Sequence, residues 1–122
     1  MTTVDTDLTS MAGGLILEVV GPFFLMMIVL NSALRGSAGK FAPSAISMTV
    51  AFCIMSFGPV TDAAINPART LGAAIGTGDY SQVLPYIIAQ FVGAAVAATA
   101  YRFIFAQKFG DEMQGNAEEP AF

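Results

Sequence analysis

The chain of 122 residues is 55% hydrophobic and only 11% charged, which excludes an ordinary soluble domain and indicates a membrane protein. Its net charge of −4 offers no basic surface, which argues against nucleic-acid binding. The sequence contains no His and one Cys, and the apolar segments hold no pair of acidic residues, so we expect no enzyme active site, metal or cofactor.

Two long apolar segments follow a polar N-terminal tail, residues 1–10. The first, Met11 to Leu34, contains one charged residue, Glu18, and can cross about 30 Å of hydrocarbon at about 1.5 Å per helical residue. A polar turn, residues 35–40, leads to the second segment. Phe41 to Val60 is uncharged and also long enough to span a bilayer. Both are predicted to be transmembrane helices.

The next apolar segment is too short to cross a membrane. A helix that begins at Asn66, with Pro67 in its first turn, satisfies the usual capping preferences. Continued to Ile75, it reaches about 15 Å, or half of the bilayer. The sequence therefore predicts a re-entrant half-helix at this position.

A third spanning segment, Val83 to Phe105, completes a membrane domain of residues 11–105. Its only strongly polar residues are Gln90 and Arg102. The remainder, residues 106–122, is polar and acidic, and its composition predicts a disordered C-terminal tail.

Basic residues predict the orientation in the membrane. Three spans place four of them on one side, whereas the N-terminal tail has none: Arg35, Lys40, Arg102 and Lys108. Because cytoplasmic loops carry an excess of Lys and Arg, we expect the N-terminus outside and the C-terminus in the cytoplasm, in a plasma or inner membrane.

The predicted half-helix contains the residues that most strongly indicate a functional site. Lipid cannot satisfy irregular backbone, so a half-helix at membrane depth requires a protein partner or a water-filled cavity. Its N-terminus presents positive dipole, and Asn66 there can donate a hydrogen bond to a passing oxygen atom. Arg69 lies one turn further on, and an arginine inside a membrane indicates a functional site. This pattern predicts a pore that orients water and repels cations.

Residues 61–72, TDAAINPARTLG, resemble the second signature loop of the aquaporin and glycerol-facilitator family, which has an Asn-Pro-Ala triplet followed by Arg. The triplet is Asn66, Pro67 and Ala68, and Arg69 follows it. The similarity extends over roughly residues 12 to 105 and corresponds to the C-terminal half of these channels. It implies an all-α membrane protein, an aquaporin-like half repeat with three transmembrane helices plus one re-entrant half-helix.

The resemblance also implies a selectivity filter. Arg69 corresponds to its arginine, Ala63 to its loop position, and Ile54 to its position on the fifth helix of the family. Strict water channels usually have His at that helix position, so Ile54 with Ala63 implies a wider or more apolar constriction. Glycerol facilitators usually have Asp after the arginine, where this chain has Thr70. Water is the expected solute, followed by glycerol or ammonia.

Glu18 resembles the buried glutamate with which the family braces the re-entrant loop, although a side chain near the start of a span can instead extend to the interface. Three features depart from the family pattern: Pro22, Asp62 in place of a usual Gly, and Gln90 with Phe91, which are similar to the third helix of the first half. Asp62 can attract cations or form a turn.

One half-helix and three spans cannot enclose a lumen, because such pores are built from two inverted repeats. The sequence therefore predicts half of a passive channel for water or small neutral solutes, embedded in the lipid bilayer and completed by an inverted second half. That half is a separate protein, the rest of a longer chain or a second copy, and the basic residues disfavour the copy. The alternative is a non-conducting membrane subunit that packs against and regulates other membrane proteins through small residues at Ala89, Gly93 and Ala97.

Overall fold

The structure is a computed structural model that describes residues 2–118. These residues form helices and turns, without a strand among them, in this order: α1 (Met11–Val29), a π-helical turn (Leu30–Leu34), a short 3-10 turn (Gly39–Phe41), α2 (Ala42–Thr61), α3 (Pro67–Thr77) and α4 (Val83–Glu118). Three stretches are long and apolar enough to cross a membrane: Met11–Leu34, Gly39–Thr61 and Val83–Phe105. The predicted fold class, three spans with one half-helix, is confirmed.

A capping side chain and two left-handed residues define helix ends in the structure. The hydroxyl of Ser10 caps α1 by accepting a hydrogen bond from the backbone N–H of Gly13 at 3.1 Å. α2 ends where Asp62 adopts a left-handed conformation (φ 59°), and its N–H donates to the carbonyl of Gly58. Gly78 ends α3 in the same way, with φ 75°.

The C-terminal tail differs from its prediction. α4 runs on through Glu118, so the expectation of disorder from residue 106 is wrong for residues 106–118, and residues 119–122 lie outside the described part of the chain. The physical reason lies in composition, because Ala, Gln, Lys, Met and Glu are good helix formers and no proline interrupts the segment before Pro120.

α1 and α4 pack together at very close range. Gly93 on α4 lies against the backbone of α1, where an added Cβ would overlap the carbonyl oxygen of Val19. Ala89 and Ala97, one turn to either side, are buried on the same helix face. The small residues Ala89, Gly93 and Ala97 therefore pack within this chain, and their burial removes them as a free surface for another protein.

The buried apolar residues surround the loop between α2 and α3. One cluster consists of Cys53, Phe57, Ala63 and Ile65, and a second consists of Val4, Ala64 and Tyr86. Three consecutive loop residues thus belong to the core, and the spans enclose the loop instead of packing only on one another.

The close approach at Gly93 generates a test of the fold. Gly93→Ala inserts a methyl group against the Val19 carbonyl and should lower the free energy of unfolding by about 1–3 kcal/mol, because the helices must separate. Chemical denaturation in micelles, followed by circular dichroism, measures the change.

Gly72→Ala is the matched control, since Gly72 is also helical but has no atom within 4 Å of an added Cβ. Its stability should be unchanged or slightly higher. Equal stability of the two variants would contradict the packing of α1 on α4.

Candidate functional site

The site is built on the loop that joins α2 to α3, residues 62–66, which we call the signature loop. Its residues 63–65 are buried, and three non-glycine residues have positive φ: Asp62 (59°), Ala63 (42°) and Ile65 (46°). Each such conformation costs on the order of 1–3 kcal/mol and persists only where the surroundings impose it. The loop therefore depends on external contacts for its shape.

Asp62 has the first of these conformations, and its φ explains one departure from the family pattern. The position requires the left-handed region, which glycine adopts freely and which Asp tolerates better than most residues. Its N–H closes the last turn of α2, so Asp62 occupies a turn and capping position.

Glu18 supplies most of the contacts that hold the signature loop. Its side chain on α1 is fully buried and does not reach the membrane interface. One carboxylate oxygen accepts the backbone N–H of Ala64 and the hydroxyl of Thr61, at 2.9 and 2.8 Å. The other accepts the N–H of Ile65 at 2.9 Å and the side-chain amide of Gln90 at 3.0 Å. A single carboxylate thus joins α1, α2, the loop and α4.

Four polar residues of this network are absent from the sequence-based assignment. The amide of Gln90 also donates to the hydroxyl of Thr70 on α3 at 3.0 Å, so it links α1, α3 and α4. Thr61 additionally accepts the N–H of Ala63, and the hydroxyl of Tyr86 donates to the carbonyl of Thr61 at 3.2 Å. The role of Gln90 could have been predicted from the sequence, because a strongly polar side chain in a spanning helix requires a hydrogen-bond partner.

The triplet begins α3 in the middle of the bundle. Glu18 and Gln90 lie seven residues, or about 10 Å, from the starts of α1 and α4, so the loop that they bind lies well inside the membrane thickness. Asn66 caps α3 by accepting the N–H of Ala68 at 2.8 Å, and Pro67 occupies the first turn. Asn66 and Ala68 are exposed, on the side of the bundle that these three spans leave open.

Two of the three residues that the sequence predicts to form a filter are in contact. The guanidinium of Arg69 donates to the carbonyl oxygen of Ala63 at 3.0 Å, while the remainder of the side chain is exposed. Ala63 is fully buried in the cluster with Cys53 and Phe57, and its main-chain carbonyl oxygen is the atom that Arg69 contacts. Ile54 lies on α2 and has 41% of its surface exposed, and it does not belong to the buried cluster that contains Ala63. Arg69 and Asn66, one helical turn apart, lie on the same exposed face of α3.

A cavity of about 230 Å³ opens beside the start of α3, between α1 and α4. Asn66 and Pro67 form one wall, Pro22 and Met26 on α1 another, and Phe91 on α4 a third. The walls are mainly apolar, and the side chains of residues 2–105 include no group of three His, Cys, Asp or Glu able to hold a metal ion. The arrangement can order a small polar molecule through the half-helix end, and it offers no catalytic group.

The family model and the similar curated proteins indicate the same family. Residues 1–101 match the sequence model of the major intrinsic protein family. The chain is 34% identical to maize aquaporin NIP1-1 over 74% of this chain and 32% of that protein. It is 41% identical to rice aquaporin NIP1-2 over 81% of this chain and 33% of that relative. It is 38% identical to soybean nodulin-26 over 73% of this chain and 33% of that relative.

The chain thus spans about a third of the length of these curated relatives. No solved structure gives a significant match.

The Glu18 network generates a second test. Glu18→Ala removes both acceptors and leaves the buried N–H groups of Ala64 and Ile65 without partners, so the free energy of unfolding should fall by about 3 kcal/mol or more. Denaturation in micelles measures this loss. Asp7→Asn, at an exposed carboxylate outside the spans, should be neutral. A Glu18→Ala variant as stable as the Asp7→Asn control would contradict the bracing role.

Proposed function

The chain belongs to the major intrinsic protein family, and from that membership we propose that it supplies one half of a passive channel for water or small neutral solutes. Proteins of this family are channels and not enzymes. The observation that carries the proposal is the half-helix that begins at Asn66 inside the bundle, with Arg69 exposed on its open face.

The open face of α3 has the chemistry of a pore for neutral solutes. The first N–H groups of a helix lack intrahelical partners and give its N-terminus a partial positive charge. A water molecule there turns its oxygen toward the helix, while Arg69 adds a full positive charge one turn away. Both features favour neutral hydrogen-bonding solutes and oppose cations. Within this proposal, Glu18 holds the loop in shape, and Asn66, Pro67 and Ala68 form the pore signature.

The filter that we propose combines Arg69, the carbonyl of Ala63 and the side chain of Ile54. The burial of the Ala63 methyl group supports a role for its main chain only. An isoleucine offers no hydrogen bond, so one wall of the constriction is apolar and does not select for water by polarity. We propose water as the principal solute, with glycerol or ammonia next.

A second half must complete the lumen. α3 measures about 16 Å, half of a bilayer, and leaves the cavity beside Asn66 open on one side. We propose that an inverted half, with its own half-helix, closes that side, either as a separate protein or as the remainder of a longer chain. Arg35 lies within 5.8 Å of the Phe105 ring, which puts the ends of α1 and α4 on one side.

Arg35, Lys40 and Arg102 therefore share one end of the bundle, which supports a fixed orientation with the N-terminus outside. A fixed orientation disfavours an antiparallel pair of identical chains. The rival function, a non-conducting subunit that binds partners through Ala89, Gly93 and Ala97, lacks support because these residues pack on α1.

Stopped-flow light scattering of liposomes tests the proposal. The chain is reconstituted alone and together with the first half of soybean nodulin-26, inserted in both orientations. We expect osmotic water flux well above that of bare lipid in the combined sample and background flux for the chain alone. Flux from the chain alone would instead mean that two copies form the pore, and background flux in both samples would contradict a channel half of this type.

Variants of α3 assign the pore residues in the conducting sample. Asn66→Ala should lower water flux severalfold, because the cap and the amide donor are both lost. Arg69→Val should let protons or cations leak, read from a pH-sensitive dye inside the liposomes. Ile75→Val, exposed at the far end of the same helix, is the control and should conduct normally. Unchanged flux and unchanged leak in both variants would contradict the proposed pore lining.

A further inference from the structure

The polar segment before α1 folds back over the end of the bundle where α2 ends and α4 begins. Residues 2–9, which we call the strap, contain one deeply buried side chain, Val4, with 5% of its surface exposed. The backbone N–H of Val4 donates to the side-chain oxygen of Gln82 at 2.8 Å, and that of Asp5 donates to the carbonyl of Val60 at 2.8 Å. These two bonds tie the strap to the start of α4 and the end of α2.

The side chain of Val4 packs against three elements: α1, α4 and the signature loop. On α1, an added Cβ at Gly14 would overlap the methyl groups of Val4, so the side chain rests directly on the helix backbone. Val4 forms one buried cluster with Tyr86 on α4 and Ala64 in the signature loop, and Leu15 packs against it. Burial of a valine side chain contributes about 1.5–3 kcal/mol, so the strap is firmly attached.

The signature loop is therefore held on two sides. Ala64 is fully buried and its N–H donates to Glu18, while its side chain belongs to the Val4 cluster. The adjacent residue, Ala63, provides the carbonyl that accepts a hydrogen bond from Arg69. Displacement of Ala64 would shift that carbonyl, and the guanidinium would lose its fixed partner.

We propose that Val4 is a positioning residue, which holds the signature loop from the outer face and through Ala63 fixes the Arg69 guanidinium. This effect on conduction rests on the proposed function, whereas its effect on the loop does not. The two are therefore measured separately, each with its own readout.

Hydrogen–deuterium exchange of the full chain in nanodiscs, read by mass spectrometry, tests the effect on the loop. Val4→Ala should accelerate exchange of the amides of residues 63–65 about tenfold, because the loop opens more often without its outer contact. Exchange in residues 46–52, within α2, should not change. Leu8→Ala is the matched control, since Leu8 lies in the same strap with 61% of its surface exposed.

Val4→Thr, which keeps the shape and replaces one buried methyl group with a hydroxyl, should also accelerate this exchange and serves if Val4→Ala loses helical circular dichroism. Wild-type exchange at residues 63–65 in a folded Val4 variant would overturn the proposal, as would equal acceleration in Leu8→Ala.

Selectivity provides the second readout. In liposomes that conduct, Val4→Ala should change the ratio of glycerol to water flux at least twofold, whereas a purely structural loss lowers both fluxes together. An unchanged ratio would overturn the link to Arg69. If the wild-type sample does not conduct with any second half, the proposed function fails, and the exchange data alone decide whether Val4 holds the loop.

Discussion

The carboxylate of Glu18 is the interaction on which the rest of the structure depends. It accepts two backbone N–H groups of the signature loop and one side chain from each of α2 and α4, in a bundle with few other polar contacts at that depth. The loop contains three strained residues and cannot hold its shape by local preference. The position of α3, and with it the exposure of Asn66 and Arg69, depends on the loop shape that this acceptor stabilises together with the Val4 cluster and the Gln90–Thr70 hydrogen bond.

The close contact of α1 with α4 also helps to hold the signature loop and α3 in place. Gly93 lets α4 approach the backbone of α1 near Val19, next to Glu18, and this brings Gln90 within hydrogen-bond distance of the carboxylate. Gln90 then transmits the connection to Thr70 on α3. Apolar packing and the polar network are therefore interdependent, since the small residues provide the proximity that the hydrogen bonds require.

Much of this arrangement could be predicted from local sequence. Hydropathy identified the three spans, and Asn66 followed by Pro67 identified the start of the half-helix, because capping preferences are local. The partners of Glu18 lie 43 to 72 residues away along the chain, and such pairings depend on tertiary packing that no local pattern reveals. Val4 and Leu8 are two isolated apolar residues in a polar stretch without periodicity, so the sequence does not show which of them is buried. The extension of α4 to Glu118 contradicts the prediction of disorder, because a polar and acidic composition does not exclude residues with good helix propensity.

The distances along the chain between Glu18 and its partners have a consequence for biosynthesis. Glu18 is made before its partners, and at about 5–20 residues per second the last of them, Gln90, follows it roughly 4–15 s later. The first donor, Thr61, follows Glu18 after about 2–9 s, and until then the carboxyl group has none of its final donors. α1 must therefore enter the bilayer on the strength of its own apolar residues, with a mean hydropathy of 2.2 over 18 residues of the span, or wait beside the translocon until α4 arrives. Assembly of the loop is thus a late event, which follows the synthesis of the last span.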